Sequence, residues 1–214
     1  TPLASLREGT DLLLEQSLGS LTPTQTEVAH LLAESAQDLD AQVRNLLAYA
    51  EWRSGQRDID MNWIDTRILV DEVLRAHRLT LAKRRLRIVY NLRTPHLYGN
   101  RLNLRVSLSN LLSNAIKHAP ADSAIDIVAD RDSHGCCLSV RDRGRGVPEV
   151  DRLRILEPFV RGTEPEESGA RGTGIGLSIV SETVKAHGGN LEVSDAEPGA
   201  RFALYWPCPP ASPC

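Results

Sequence analysis

Aromatic residues, long apolar runs and an excess of one charge are all scarce in this chain of 214 residues. Aromatic side chains make up 4% of it, so we expect a core of Leu, Ile, Val and Ala. No apolar run reaches the roughly 20 residues that a membrane-spanning helix needs, which predicts no membrane contact by this chain. Charged residues are 25% and the formal net charge is −3, so we expect no nucleic-acid partner.

Cysteine is also scarce, and its spacing is not that of metal ligands. The four cysteines are Cys136, Cys137, Cys208 and Cys214. The first two are neighbours in an alternating segment, so we expect them on opposite faces of a strand. We interpret all four as reduced residues of a cytosolic compartment. The basic run Lys83-Arg84-Arg85 comes at the expected end of a helix, where the helix dipole favours cations.

The first 54 residues have the period of two helices. Leu3, Leu6, Leu13 and Leu14 repeat at three- and four-residue steps, which predicts a helix over about 3–18. Gly19-Ser20 interrupts it, and Thr22 before Pro23 is typical of an N-cap and first turn. The second helix is expected to reach about Ser54. Its apolar stripe comprises Val28, Leu32, Ser35, Leu39, Val43, Leu46 and Ala50.

Two such helices form an antiparallel hairpin that cannot bury both stripes by itself. A homodimer through residues 3–54, which closes a four-helix bundle, is therefore expected. At about 1.5 Å per residue, the second helix is nearly twice as long as the first. Either the first helix continues upstream of Thr1 or the second one overhangs, and we favour the first of these.

The remainder alternates between helical and strand periods. Helices are predicted over 66–84, 101–119 and 174–187, with a short one near 149–156, and strands over 86–92, 124–130, 136–142, 190–195 and 201–206. Residues 160–171 lack a period and predict a mobile loop. This grouping indicates an α+β fold, namely a two-layer α/β sandwich after a helical hairpin. The predicted boundaries are 1–57 for the hairpin, 58–65 for a linker, 66–206 for the sandwich and 207–214 for a Pro-rich tail.

Four motifs follow one another in the sandwich. They read Asn110-Leu-Leu-Ser-Asn114-Ala-Ile-Lys117-His118, Asp142-Arg-Gly144-Arg-Gly146, Glu157-Pro-Phe159-Val-Arg161 and Gly172-Thr173-Gly174-Ile-Gly176-Leu177. In the first, Asn110, Asn114 and Lys117 share one helix face. An amide oxygen suits Mg²⁺ when phosphates supply the charged ligands, and an ammonium stabilises phosphate charge. Taken alone, such a face is more often a solvated surface.

The two glycine-rich motifs suit a base and its phosphates. Asp142 can accept a hydrogen bond from an exocyclic amine, while Gly144 and Gly146 let the backbone approach a flat ring. Taken alone, that motif is usually a turn. The run from Gly172 to Gly176 leads into a helix whose first N–H groups can bind phosphate. Its spacing excludes a Walker loop, and no strand precedes it as in a dinucleotide fingerprint.

In this order, the four motifs resemble the asparagine, first glycine, phenylalanine and second glycine boxes of two-component sensor histidine kinases. The resemblance implies the Bergerat ATP-binding fold, which gyrase, heat-shock chaperone and mismatch-repair ATPases share, with ATP and Mg²⁺ as cofactors. It implies that Asn114 holds Mg²⁺ and acts in catalysis with Lys117, and that Asp142 reads adenine. The other implied nucleotide contacts are Asn110, His118, Gly144, Gly146, Arg161, Gly172, Thr173, Gly174, Gly176 and Leu177, with residues 160–171 as a lid.

Thr1-Pro2 carries a further part of the resemblance. The family's phospho-accepting histidine occurs in His-Glu-x-x-Thr-Pro, so the resemblance implies that the acceptor lies four positions before Thr1. Thr1 would then position water when the phosphorylated partner is dephosphorylated. The histidines of the chain are His30, His77, His96, His118, His134 and His187. We interpret all of them as structural or surface residues except His118, which lies beside the asparagine motif.

These observations predict the cytoplasmic fragment of a dimeric bacterial histidine kinase anchored in the inner membrane. It would pass the γ-phosphoryl group of ATP to a histidine and then to an aspartate of a response-regulator receiver domain, with phosphatase activity toward that regulator also implied. Two alternatives remain: a nucleotide-binding regulatory scaffold and a Bergerat ATPase without histidine transfer. The presence of Asn114, Lys117 and Asp142 speaks against the scaffold, and the N-terminal hairpin speaks against the ATPase. The chain departs from the family in a short lid and in Leu156, where a second Phe is common.

Overall fold

The structure, a computed structural model, describes residues 2–17, 19–33, 35, 36, 39, 43, 60–160 and 174–209. The chain divides into two units, Thr1–Gly55 and Gln56–Cys214. Across the described residues, no helix is both long and apolar enough to cross a membrane.

The first unit contains the two predicted helices. Helix α1 spans Pro2–Leu14 and ends earlier than predicted, because residues 15–17 form a turn in which Gln16 has a φ of 55°. Helix α2 begins at residue 23, and its described residues are 23–33, 35, 36, 39 and 43. The predicted end near Ser54, with Leu46 and Ala50, lies outside the described residues.

Thr22 and Gln25 form a reciprocal cap at the start of α2. The Thr22 Oγ1 accepts a hydrogen bond from the Gln25 N–H at 3.3 Å, and Gln25 Oε1 accepts one from the Thr22 N–H at 2.9 Å. Each side chain thus satisfies a backbone donor that has no partner within the helix. This arrangement confirms the predicted N-cap at Thr22.

The hairpin buries small residues and leaves large ones exposed. Ala29, Ala33 and Ala36 are buried, whereas the described members of the predicted stripe on α2 lie at the surface, with Leu32 47% exposed. On α1, Leu6 is 51% exposed. The described part of the α2 stripe and Leu6 of α1 are therefore at the surface of the single chain, whereas Leu13 and Leu14 are half-buried. The homodimer that would cover the exposed residues remains a prediction.

In the described residues of the second unit, three α-helices combine with two sheets, which confirms the predicted α+β class. Its helices are α3 (Thr66–Lys83), α4 (Arg101–His118) and α5 (Gly176–Ala186). Its strands are β1 (Asn62–Asp65), β2 (Arg87–Leu92), β3 (His96–Gly99), β4 (Ala124–Asp132), β5 (Gly135–Arg141), β6 (Asn190–Asp195) and β7 (Ala200–Trp206). The larger sheet has the order β2-β4-β5-β7-β6; β2 and β4 run parallel, and its other pairs are antiparallel.

Two predicted segments differ in the structure. Residues 62–65, which we assigned to a linker, form β1, which pairs antiparallel with β3 from Asn62 opposite Gly99 to Asp65 opposite His96. Asp65 then caps α3, because its Oδ1 accepts a hydrogen bond from the Ile68 N–H at 2.8 Å. The short helix near 149–156 is instead two 3₁₀ turns, Glu149–Asp151 and Arg154–Leu156.

The core of this unit is aliphatic, as the composition predicted. Alternate residues of β4 and β5 point into it, including Ile125, Ile127 and Leu138, which are fully buried. They pack with helix residues such as Leu108 and Leu111 in one continuous cluster. Cys136 also lies in this core, whereas Cys137 lies on the other face, where its Sγ is 3.9 Å from Arg201 Nη2. The described cysteines are all free, and burial raises the pKa of Cys136 to about 12.

Candidate functional site

A buried carboxylate lies at the end of β5. Asp142 is 3% exposed, and its Oδ1 accepts hydrogen bonds from the Gly144 N–H at 2.7 Å and the Ala200 N–H at 3.4 Å. Neither of these bonds uses Oδ2. Burial raises the pKa of Asp142, and the two backbone donors oppose that shift. The carboxylate is therefore held by the fold through one oxygen, which leaves the other suited to a ligand donor.

The backbone around Asp142 is compatible only with glycine at three places, two in the turn after Asp142 and one in the turn between β6 and β7. A Cβ on Gly144 would lie 2.6 Å from the His118 carbonyl oxygen. Gly146 has a φ of +83°, and its Cβ would lie 3.2 Å from the oxygen of Gly199. Gly199 has a φ of +103°, and its Cβ would lie 2.1 Å from the Asp142 carbonyl oxygen. Side chains are thus excluded where the backbone segments beside the carboxylate meet.

Gly199 and Ala200 belong to this arrangement although the sequence did not single them out. Both lie where the turn between β6 and β7 reaches Asp142. The available signal was the Pro198-Gly199 pair between two predicted strands, which is typical of a turn. That signal predicts a turn but not the element it approaches.

The predicted polar face of α4 lies partly at the surface. Asn110, Asn114 and Lys117 are half-buried and His118 is exposed. The opposite face is buried in the core through Leu108, Leu111, Leu112, Ala115 and Ile116. The helix begins at a good cap, because Asn100 Oδ1 accepts a hydrogen bond from the Asn103 N–H at 3.0 Å. Packing of the apolar face therefore fixes which way the polar face points.

The start of α5 lies directly against this polar face. A Cβ on Gly176 would lie 2.9 Å from Asn110 Oδ1, so the second glycine motif and the asparagine motif are in contact. Ile175 occupies the N-cap of α5 and gives no side-chain cap to the helix. The first N–H groups of α5 thus lack the usual side-chain acceptor, which is the arrangement that suits an anion.

The phenylalanine motif meets the second glycine motif. The Phe159 N–H donates a hydrogen bond to the Gly174 carbonyl oxygen at 3.0 Å. Gly174 has a φ of +71°, and a Cβ on it would lie 2.8 Å from the Val160 carbonyl oxygen. The Phe159 side chain is 65% exposed, while Leu177 is half-buried against the core. Thr1, Arg161, Gly172 and Thr173 lie outside the described residues.

The described residues contain no cluster of three or more His, Cys, Asp or Glu that could hold a metal ion. A metal here would need oxygen ligands from something else. The half-buried amide of Asn114 fits Mg²⁺ in that setting, because this ion takes few protein ligands and completes its shell with phosphate oxygens and water.

Two histidines join helices and lie outside this arrangement. His187 Nδ1 is 2.8 Å from the Thr183 carbonyl oxygen, and its Nε2 accepts a hydrogen bond from the Asn100 N–H at 3.0 Å. His77 Nε2 lies 2.9 Å from Ser109 Oγ. Burial lowers the pKa of both imidazoles, so the neutral form is favoured. These contacts fit the structural role that we expected for both residues.

The comparison with known proteins agrees with this geometry. The profile of the family described as "Histidine kinase-, DNA gyrase B-, and HSP90-like ATPase" matches residues 99–210. Sensor histidine kinase QseE of Escherichia coli O157:H7 is 30% identical over 195 residues, which are 91% of this chain and 41% of that protein. The alginate biosynthesis sensor protein KinB of Pseudomonas aeruginosa is 27% identical over 213 residues, or 97% of this chain and 35% of that protein. The chain thus spans about two fifths of the length of these curated relatives.

Solved structures give the same result. Full-length ShkA in complex with AMPPNP matches with a TM-score of 0.74 and 26% identity, covering 96% of this chain and 43% of that one. The mycobacterial sensor histidine kinase MprB matches with a TM-score of 0.56 and 25% identity, covering 69% of this chain and 99% of that one. Histidine kinase AdeS of Acinetobacter baumannii has a TM-score of 0.67 at 20% identity, with 94% and 92% covered, and supports the fold alone.

Proposed function

Because the chain belongs to the family of histidine kinase-, DNA gyrase B- and HSP90-like ATPases, we propose that it binds Mg·ATP. Within that family, it has the ATPase domain of two-component sensor kinases. The site lies between the end of β5, the C-terminal half of α4 and the start of α5. Its product would be a phosphohistidine, formed by transfer of the γ-phosphoryl group.

The observation that carries the proposal is the buried carboxylate of Asp142. Its Oδ1 is engaged by two backbone N–H groups, so Oδ2 is left for a donor on the ligand. The exocyclic amine of adenine is such a donor. Guanine has a carbonyl oxygen at the same position, and two facing acceptors would leave a buried group unpaired at a cost of roughly 1–3 kcal/mol. Gly144 and Gly146 keep side chains away from the base.

The phosphates would lie between α4 and the start of α5. Asn114 would hold Mg²⁺ with Asn110 beside it, while Lys117 and His118 would face the phosphate charge. The N–H groups that begin α5 at Gly176 would add donors. The same proposal includes Arg161, Thr173 and Leu177 as further nucleotide contacts, and Gly172 and Gly174 as residues that close the pocket together with Gly176. When bound, Mg²⁺ neutralises the charge of the β- and γ-phosphates.

The residues of this chain would bind and orient the nucleotide, and a histidine nitrogen would attack. In this step the new N–P bond forms as the bond between the γ-phosphorus and the bridging oxygen breaks, with ADP leaving. Transfer depends mainly on in-line placement, so the close approach of Gly176 to Asn110 would favour it by fixing α5 against α4. None of the six histidines is followed by Glu, so we propose an acceptor outside this sequence.

Later steps of the proposal involve partners. Residues 3–54 would form a homodimer, because the exposed apolar residues of α1 and α2 need a cover. The phosphoryl group would then pass to an aspartate of a response-regulator receiver domain, and Thr1 would position water in the reverse, phosphatase reaction. We place the chain on the cytoplasmic side of a membrane-anchored bacterial parent protein.

Calorimetric titration tests nucleotide binding. The 214-residue chain should bind ATP with Mg²⁺, bind it more weakly after chelation, and bind GTP at least tenfold more weakly, as one unpaired buried acceptor predicts. Asp142→Ala should remove most ATP binding. Asp130→Ala is the matched control, because this carboxylate is paired with Arg93 at the other end of the sheet. Equal affinity for ATP and GTP would contradict the adenine role.

Radiolabelling with γ-labelled ATP tests phosphoryl transfer. The chain by itself should remain unlabelled. The same chain, extended upstream by helical turns that carry His-Glu four residues before Thr1, should acquire an acid-labile, base-stable phosphate. Asn114→Ala in the extended chain should remain unlabelled because the metal is lost. Label on any of the six histidines of the 214-residue chain would contradict the proposed acceptor.

A further inference from the structure

One arginine of the basic run at the end of α3 reaches a different helix. Arg84 follows the last residue of α3, and its guanidinium lies at the C-terminal end of α4. Its Nη1 donates hydrogen bonds to the carbonyl oxygens of Ile116 and Lys117, the second at 2.9 Å. Its Nη2 donates to the Ala119 carbonyl oxygen at 2.9 Å. A single side chain thus serves three carbonyls that are 32 to 35 residues away in sequence.

These carbonyls are the ones that a helix cannot satisfy by itself. The last four C=O groups of a helix have no intrahelical donor, and the helix dipole places partial negative charge there. A planar guanidinium offers several N–H donors together with a positive charge, whereas an ammonium is a compact point charge. Arg84 therefore satisfies the end of α4 by both geometry and charge.

The neighbouring arginine has a different role. Arg85 has a φ of 52° and pairs with Asp122 at 2.6 Å through an exposed side chain. This ion pair lies on the segment after α4 and contacts none of the carbonyls that Arg84 serves. Arg85→Gln is therefore a control that removes a neighbouring positive charge and leaves the cap on α4 in place.

The end of α4 that Arg84 holds belongs to the candidate site. Lys117 and His118 are the last two residues of α4. The His118 carbonyl oxygen also lies 2.6 Å from the position of a Cβ on Gly144, so this turn packs against the Asp142 segment without spare room. A small shift of the last turn would move Lys117 and His118, whereas Asp142 keeps its own bonds to the backbone of Gly144 and Ala200.

We propose that Arg84 is a positioning residue of the nucleotide site, which holds the last turn of α4 so that Lys117 and His118 face the phosphates. The inference rests on the proposed binding of Mg·ATP. Arg84 contacts no nucleotide itself and acts through three backbone carbonyls. Its loss is therefore expected to weaken the contacts to phosphate and to spare the contact to the base.

The test compares a nucleotide with its nucleoside. Titrations of the 214-residue chain with Mg·ATP and with adenosine are made on Arg84→Gln, Arg84→Lys and the control Arg85→Gln, at a temperature where circular dichroism finds each folded. Arg84→Gln should bind Mg·ATP about tenfold more weakly, as expected for losing charge-assisted hydrogen bonds, and adenosine within about twofold of the original. Arg84→Lys should recover only part of the loss in Mg·ATP affinity, because a cation remains at the helix end but one ammonium cannot serve three carbonyls. Arg85→Gln should bind both ligands unchanged.

The outcomes distinguish a failure of the positioning role of Arg84 from a failure of the proposed Mg·ATP binding. If the original chain binds no Mg·ATP, the proposed function fails, and the positioning role fails with it. If the original chain binds and Arg84→Gln loses ATP and adenosine equally, or loses neither, Arg84 is only a structural residue. If Arg84→Gln does not fold, Arg84→Lys decides, because one ammonium cannot serve three carbonyls as a guanidinium does. An unchanged ratio of ATP to adenosine affinity in that variant would overturn the proposal.

Discussion

The two units of the chain distribute their apolar residues in opposite ways. The helical hairpin buries Ala29, Ala33 and Ala36 and leaves Leu31 64% exposed. The sandwich encloses a core of large residues, among them Leu108, which is 0% exposed. Small residues inside and large ones outside are what the proposed homodimer would require of its hairpin, whereas the sandwich already has its own core. The two units therefore should respond differently to the same substitution.

The largest expected effect is a matched pair of leucine truncations. Leu108→Ala opens a cavity in the sandwich and should lower the free energy of unfolding by about 2–5 kcal/mol. Leu32→Ala removes an exposed side chain of the hairpin and should cost less than about 1 kcal/mol at a protein concentration where the chain is monomeric. Urea unfolding followed by circular dichroism measures both. Equal losses would remove the contrast between the units.

Within the sandwich, Asp142 should favour nucleotide binding but lower the stability of the nucleotide-free chain at neutral pH. Its pKa is raised above the ordinary 3.8 by burial, so its contribution to stability is present below that value and lost as pH rises through the folded-state pKa. Asp142→Asn, which has no charge to bury, should therefore raise the melting temperature of the nucleotide-free chain at neutral pH. Asn keeps an acceptor for the Gly144 N–H but turns an amide donor toward the base, so ATP affinity should fall about tenfold or more.

Scanning calorimetry of Asp142→Asn measures its melting temperature, and titration calorimetry measures its affinities for ATP and GTP. A lower melting temperature would show that the carboxylate stabilises the turn when ionised. Unchanged preference for ATP over GTP would show that Asp142 does not face the base.

Acid should weaken the sandwich through the buried imidazole of His187 and the half-buried imidazole of His77. The pKa values of His187 and His77 are lowered from the ordinary 6.5 by burial, so their contribution is present above that value and lost as pH falls from there through the folded-state pKa. If His187 Nε2 became protonated, its N–H would face the Asn100 N–H, and two hydrogen-bond donors would then oppose each other. Urea unfolding between pH 7.5 and 5 should be less pH-dependent in His187→Gln than in the original chain. His30→Gln, at an exposed hairpin position, is the control, and an equal change in both variants would contradict the assignment.

The smallest expected effect belongs to the hairpin. Thr22→Ala removes half of the reciprocal cap with Gln25 and should destabilise α2 by about 1 kcal/mol. Hydrogen exchange should become faster over residues 23–33 while amides of α4 and α5 keep their rates. Faster exchange in the sandwich as well would show that the two units unfold together.

The sequence predicted the elements best where their apolar positions repeat often enough to define a period. Helices α3 and α4 each have 18 residues, and the expected ranges 66–84 and 101–119 agree with them within a residue. Strands β1 and β3 have four residues each, too few for alternation to stand out, and they pair with each other across more than 30 positions. That pairing is a tertiary property without a local signal.

In the candidate site, too, the sequence pointed to residues within local patterns but not to their long-range contacts. Motif spacing was enough to select Asn110, Asp142 and Gly176, because each lies in a local pattern. It could not show that Gly176 touches Asn110, that Gly199 closes against Asp142, or that Arg84 caps a distant helix. The helix-dipole interpretation of Lys83-Arg84-Arg85 named a sound principle, but for Arg84 the contacted helix is α4. These contacts join residues that are far apart in sequence, so local sequence patterns could not predict them.

The parallel pairing of β2 with β4 bears on how the chain assembles during synthesis. Parallel neighbours need a crossover, and here residues 93–123 form it, with β3 and α4 inside. As the ribosome releases the chain, β2 emerges early but has no partner in the sheet until β4 has followed about 40 residues later, and its edge stays open meanwhile. The helix proposed to hold the phosphates is thus also the segment that brings the two strands together. Substitutions on its buried face should slow maturation of the newly made protein, a cost separate from any effect on the nucleotide.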